Sequence, residues 1–222
     1  MALQAPARPD TSDMVVVHRV FRREFRLLPQ MVRSVVPGDS ARAQLVAQHC
    51  AEMVEALHHH HTGEDDLVWP VLHERVALQS ATVARMEQQH EQMSALLEEV
   101  DPRSSVWVGA ASQDGRDALA DLLEEVSALL DEHLAEEERT ILPLAAEHMT
   151  VQEWSQLGER GMTSMPRDRL VVFLAHILED ATPQERTAFL AHVPLPGRLA
   201  YRLVGRRKHA RETAELRRGL SR

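Results

Sequence analysis

Apolar residues recur at helical spacing along the first two-thirds of this chain. From Asp13 to Val36, Met14, His18, Phe21, Phe25 and Leu28 share one face, and Pro37-Gly38 ends the run. A second stripe opens after Asp39-Ser40 and continues towards His73, with Leu45, His49, Met53, Leu57, His60, Glu64 and Leu67 in register. Pro70 lies inside it and predicts a kink or the end of regular helix. The third stripe, Ser80 to Val100, reads Val83, Met86, His90, Met93, Leu97, Val100; its alternating steps mark a helix in a bundle seam. Asp101-Pro102 is expected to stop it, and residues 102–116, with Gly109 and Gly115, read as a polar loop pinned by Trp107. A fourth stripe from Asp117 carries Leu119, Leu122, Val126, Leu130, His133, Glu137 and Ile141, with Pro143 beyond. Four such helices on short connections pack most simply as an antiparallel, up-and-down four-helix bundle over residues 13–149.

The flanks differ. Residues 1–12, with Pro6 and Pro9, read as a disordered lead-in. After His148, Thr150 with Glu153 and Thr182 with Glu185 form two capping boxes. Residues 150–222 therefore read as a helical extension that ends in a basic helix from about residue 198.

Composition agrees with an all-α fold. Aromatic residues make up 4% of the 222, and good helix formers dominate. A single cysteine, Cys50, excludes an internal disulfide and reads as a small buried hydrophobe. The first residues lack the apolar run of a signal peptide, and no apolar stretch approaches membrane-spanning length. A soluble cytoplasmic protein is the resulting expectation. The net charge of −9 is uneven: residues 198–222 hold nine of the 25 Lys and Arg and only two acids, Glu212 and Glu215. That basic helix could touch nucleic acid or an anionic membrane. The favoured expectation packs Leu199, Leu203 and Ala210 on the bundle with arginines facing its acidic surface, so nucleic acid is not an expected partner.

Thirteen histidines are the stronger anomaly. Two segments match at a distance, HHTGEDDLVWP and HLAEEERTILP. Aligning Pro70 with Pro143 places His60 on His133 and Glu64 on Glu137. Residues four apart lie one turn above each other on a helix face, so each pair offers an imidazole and a carboxylate to the core. His18 and His90 sit mid-stripe on the other two helices. Burying the two carboxylates without counter-charge would cost several kcal/mol each, which metal ions would relieve. Imidazole and carboxylate without thiolate suit iron. The run His58 to His61 allows a second register, His61 with Asp65. The proline alignment favours His60 with Glu64, leaving His58, His59 and His61 outward or behind the ligands. His49 reads as a supporting or hydrogen-bonded core histidine, Met53, Met86 and Met93 as packing, and Glu24 as solvated. His73, His148, His176, His192 and His209 are expected on the surface. Tyr201 would be a ligand only if the tail folded over the site.

The order His, His-x-x-x-Glu, His, His-x-x-x-Glu over four helices resembles the hemerythrin-like, or HHE cation-binding, domain. That resemblance implies a di-iron centre, oxo- or hydroxo-bridged, with His18, His60, Glu64, His90, His133 and Glu137 as ligands and both glutamates bridging. It also implies binding of, or reaction with, O2, peroxide or nitric oxide. Alternatives are a di-iron oxygenase or oxidase acting on an organic substrate, and simple iron binding. Oxygen carriers of this type place two histidines one turn apart on the third helix, whereas His90 has Met86 and Ser94 at that spacing. Of roughly twelve positions on two six-coordinate metals, the six side chains and a bridging oxygen fill about ten. About two stay open unless a further protein ligand fills one.

Overall fold

The computed structural model describes residues 7–220, the side chain of Ala77 excepted. Every regular element among the described residues is helical. Helix α1 spans Ser12–Arg33, α2 Ser40–Leu67, the short α3 Trp69–Arg75, α4 Ser80–Ala110 and α5 Gln113–His148. The four long helices touch in a ring: α1 packs on α5 and α2, and α4 packs on the same two. Helices α1 and α5 run in opposite directions. Arg33 at the end of α1 pairs with Asp121 and Glu124 early in α5, while His18 near its start meets Glu138 late in α5. Most of the expected disordered lead-in, residues 1–6, lies outside the described residues.

Two prolines behave differently. At Val68 the chain breaks between α2 and α3, and Pro70 sits in the first turn of α3, where its missing N–H costs nothing. Pro102, expected to end a helix, lies inside α4, which runs on to Ala110. The expected loop over 102–116 is therefore mostly helix, and the connection is Ala111 and Ser112. Pro102 faces solvent, so water serves the carbonyl it cannot bond, while Val100, Ser104 and Trp107 seat the continuing helix on the core. Ala111 takes a left-handed conformation at φ 44°, and Ser112 Oγ then accepts from Gly115 N–H to cap α5.

The extension holds α6 (Val151–Thr163), α7 (Arg167–Ile177), α8 (Pro183–His192), α9 (Leu195–Ala200), a π-helical turn at Tyr201–Gly205, and α10 (Arg206–Leu216). Both predicted capping boxes are formed. Helix α6 lies on α2, close enough that a Cβ on Gly63 would stand 3.0 Å from the Leu157 side chain. Helix α7 packs on α1 through Leu174, Ala175 and Leu178 against Val16 and Val20. Gly205 lets the last segment approach α7: a Cβ there would fall 2.5 Å from the Val171 carbonyl oxygen. The packed face is Tyr201, Gly205, His209, Thr213 and Leu216, and Arg42 caps α10 by donating to the Glu215 and Leu216 carbonyls. This corrects the expected face, because Leu199, Leu203 and Ala210 are exposed. Tyr201 is buried against α7 and accepts from Arg186, and Cys50 is buried with its thiol pushed up to about 12 by burial.

Candidate metal centre

Each predicted site residue sits within a long helix that holds its side chain: His18 on α1, His60 and Glu64 on α2, His90 on α4, His133 and Glu137 on α5. The ring of helices brings all six into the interior. His18, His60, Glu64 and Glu137 offer ligand atoms within 4.8 Å of one another. His90 and His133 belong to a second group of the same compactness, and its third member is His61. The glutamates join the two groups: His90 Nε2 lies 3.5 Å from Glu64 Oε2 and His133 Nε2 3.9 Å from Glu137 Oε2.

The sequence reading left His61 outside this set. In the structure it is buried and stacks on the His90 ring at a centroid distance of 4.1 Å. Positions 60, 61 and 64 explain how neighbours can share a site. At 100° per residue Glu64 falls between His60 and His61 on the helix surface, four residues after one and three after the other. The i, i+3 relation of His61 to Glu64 was the available signal.

Further residues hold the imidazoles from behind. His18 Nδ1 is 2.9 Å from Glu138 Oε1, which also accepts from Arg22. His90 Nδ1 is 2.6 Å from Asp65 Oδ1, the acceptor of the Trp69 indole N–H. His133 Nδ1 is 2.9 Å from Gln89 Oε1, whose amide faces this way because its NH2 donates to Glu136. Carboxylate and amide oxygens only accept, so each Nδ1 carries a proton, and Nε2 is the atom that the neutral ring would turn inward as a lone pair. The Nε2 atoms of His90 and His133 then face each other at 3.2 Å, an arrangement that calls for a cation beside them.

Electrostatics point the same way. Buried atoms without any hydrogen-bond partner converge here: Nε2 of His18, His60 and His61, both Glu64 oxygens and Glu137 Oε2. Burial, with Glu137 alongside, pushes the Glu64 carboxyl well above its ordinary range, and burial raises Glu137 as well. Burial also drives His60 and His61 well below the usual imidazole value and His133 down to about 3. Buried imidazoles and carboxylates without a cationic side chain among them are a donor set that a positive ion would complete. The residues fit such a group.

An all-helical chain with two joined nests of histidine and glutamate defines a helical metal-binding protein. The family model for the hemerythrin HHE cation binding domain matches residues 10–145, and the chain belongs to that family, whose domains typically bind iron. No curated protein matches the chain, and no solved structure does. No helix among the described residues is long and apolar enough to cross a membrane.

Two other sequence expectations change. Glu24, expected in solvent, is fully buried, and His176 and His209, expected on the surface, are buried around it. His49 is the hydrogen-bonded core histidine it was read to be, 3.1 Å from Glu24 Oε2.

Proposed function

We propose that the chain is a non-haem di-iron protein, built as an up-and-down bundle, whose centre binds or reacts with O2, peroxide or nitric oxide. His18 and His60 would hold one iron and His61, His90 and His133 the other, with Glu64 and Glu137 bridging. The observation that carries this reading is the convergence of buried nitrogens and oxygens that have no other partner. A bound iron pair supplies open coordination positions and redox capacity for small ligands.

The chain's own residues shape that chemistry. Glu138, Asp65 and Gln89 keep the Nδ1 protons in place and so hold three Nε2 lone pairs on target. Phe21 packs on His60 and Trp69 on His90, fixing the two rings from either side. With His61 included, five histidines, the two glutamates and a solvent-derived oxygen would take up about eleven of the roughly twelve positions that an iron pair offers. The position left over would have room for a single small ligand. That count favours a gas or peroxide over an organic substrate. A cleft of about 520 Å³ reaches His61 and His90 from outside, and its lining includes Asp65, Glu87 and Glu91, an acidic wall ill suited to an anionic substrate. In the same reading residues 13–149 are the metal-binding domain, 150–222 an extension braced against it, and the protein works in the cytoplasm.

The test is elemental analysis of protein from iron-replete cells, followed by azide, O2 and hydrogen peroxide additions monitored by absorbance and an oxygen electrode. About two irons per chain and a spectral response to azide are expected. One zinc per chain, or no metal, would overturn the proposal.

A further inference from the structure

The segment after Pro194 has an outer face that the fold leaves uncovered. Leu195, Leu199, Leu203 and Val204 are 62%, 49%, 66% and 55% exposed. No residue of α9 is buried, and the π turn spends its inner face on Tyr201 and Gly205. Leu195, Leu199 and Leu203 follow at intervals of four and form one outward stripe. Cations flank it. From Leu195 to Arg211 the chain holds Arg198, Arg202, Arg206, Arg207, Lys208 and Arg211 and no acid. Arg202, Arg206, Arg207 and Arg211 are exposed, and among the described residues the ion pairs of this stretch are those of Lys208 with Asp168 and His209 with Glu179. Clustered large apolar side chains in water, ringed by unpaired guanidiniums, call for a partner that is apolar inside and anionic at its rim.

We propose that α9 and the π turn dock this protein on an anionic lipid bilayer, leucines at the acyl boundary and arginines on headgroup phosphates. Charge complementarity selects this occupant. A nucleic acid backbone would satisfy the arginines but leave three leucines and a valine in water. A second copy, pairing the same patch about a two-fold axis, would set arginine against arginine. The acidic remainder of the chain is repelled by such a surface, so it would face away and leave only this edge to attach.

The test uses the full-length, metal-loaded protein at low ionic strength with vesicles of phosphatidylcholine alone or mixed with phosphatidylglycerol. Co-sedimentation with the mixed vesicles only is expected, weakening as salt rises. Arg202→Gln, Arg206→Gln and Arg207→Gln should each weaken it about fivefold. Leu199→Ser with Leu203→Ser should weaken it at least tenfold or so. Metal content and melting temperature should stay at wild-type values, because these side chains are exposed. Wild-type protein that stays in solution with mixed vesicles would overturn the proposal. So would leucine variants that bind as well as wild type, with duplex nucleic acid competing the vesicles away. A dimer that the leucine variants dissolve, without vesicle binding, would reassign the patch to self-association.

Discussion

Two regions of this molecule bury histidine beside glutamate, and they balance the charge in different ways. At the candidate metal centre, Glu64 and Glu137 face five imidazoles and no guanidinium, and both Glu64 oxygens and Glu137 Oε2 lack hydrogen-bond partners. On the other side of α1, Glu24 is equally buried but accepts from Arg23 at 2.8 Å, Arg217 at 2.9 Å, His49 at 3.1 Å and His176 at 3.3 Å. Arg217 also grips Glu179 through both nitrogens, beside Arg23 and His209. The carboxyls respond in opposite directions. Burial raises Glu64, whereas at Glu24 the His176 and His49 contacts outweigh burial and hold it well below its ordinary value. At Glu179 the His209 and Arg217 bonds outweigh burial in the same way and hold it down to about 2. His176, Glu179 and His209 also lie within 4.8 Å of one another, a set of ligand types. Composition alone would call both clusters metal sites; the arginines decide that the second is a brace. Where the chain supplies the counter-charge the cluster braces the fold, and where it withholds it we propose that a cation completes the cluster.

The comparison can be broken most directly by deleting carboxylates. Glu64→Ala or Glu137→Ala should abolish most metal binding, since each removes a carboxylate proposed to serve both nests. Glu24→Ala should leave metal content near wild type; equal metal loss from all three would erase the distinction. The stability of the same variants tests the other half. Removing Glu24 takes away the shared acceptor of Arg23, Arg217, His49 and His176 and leaves a hole, although both arginines keep Glu179. The loss should cost about 3 kcal/mol in denaturant unfolding of the metal-loaded protein. A change below about 1 kcal/mol would show that the brace is solvated after all.

Next in size are the residues that aim the imidazoles. Asp65→Ala, which frees both His90 and Trp69, should weaken metal affinity about 10–100-fold in a chelator competition without abolishing it. His61→Ala should weaken affinity at least as much and open a second coordination position, seen as uptake of a second azide. A His61 variant with wild-type affinity and one azide would remove that residue from the centre.

The smallest expected effect is in pH dependence. Burial holds His176 down to about 4, and Glu179 sits at about 2. The groups around them are Glu24, Arg23, Asp180, His49, His209 and Arg217. For His176 the unfolded chain, near 6.5, takes up a proton before the folded one, so stability falls as pH drops from 6.5 towards 4. For Glu179 the unfolded chain, near 4.5, again protonates first, and stability falls on towards pH 2. Both losses share a sign, so urea melts of wild type should shift more between pH 7 and 4 than those of the double variant His176→Phe, Glu179→Gln. Parallel curves would contradict it.

Much of this was legible in the residues, because it is local. The i, i+4 pairs His60–Glu64 and His133–Glu137 and the stripes through His18 and His90 follow from helical geometry. The two capping boxes are likewise properties of four consecutive residues. Where neighbours outside the window decide, local reading failed. Pro102 was read as a stop on propensity, yet Trp107, five residues on, anchors the helix through it. The proline alignment marks one face of α2 and so points to His60, while the arc of that helix facing the centre is wide enough for His61 as well.

What the sequence by itself determined, then, is that the chain is helical and which turns of helix carry imidazole with carboxylate; periodicity is written in the order of residues. Only the tertiary structure decided which clusters lack a counter-charge and which face is left in water. Arg217 reaches Glu24 across 193 positions. Gly205 seats the last segment with Tyr201 and His209 inward, so Leu199 and Leu203 must point out. Charge balance and burial depend on distances between residues far apart in the chain, and only folding sets those distances.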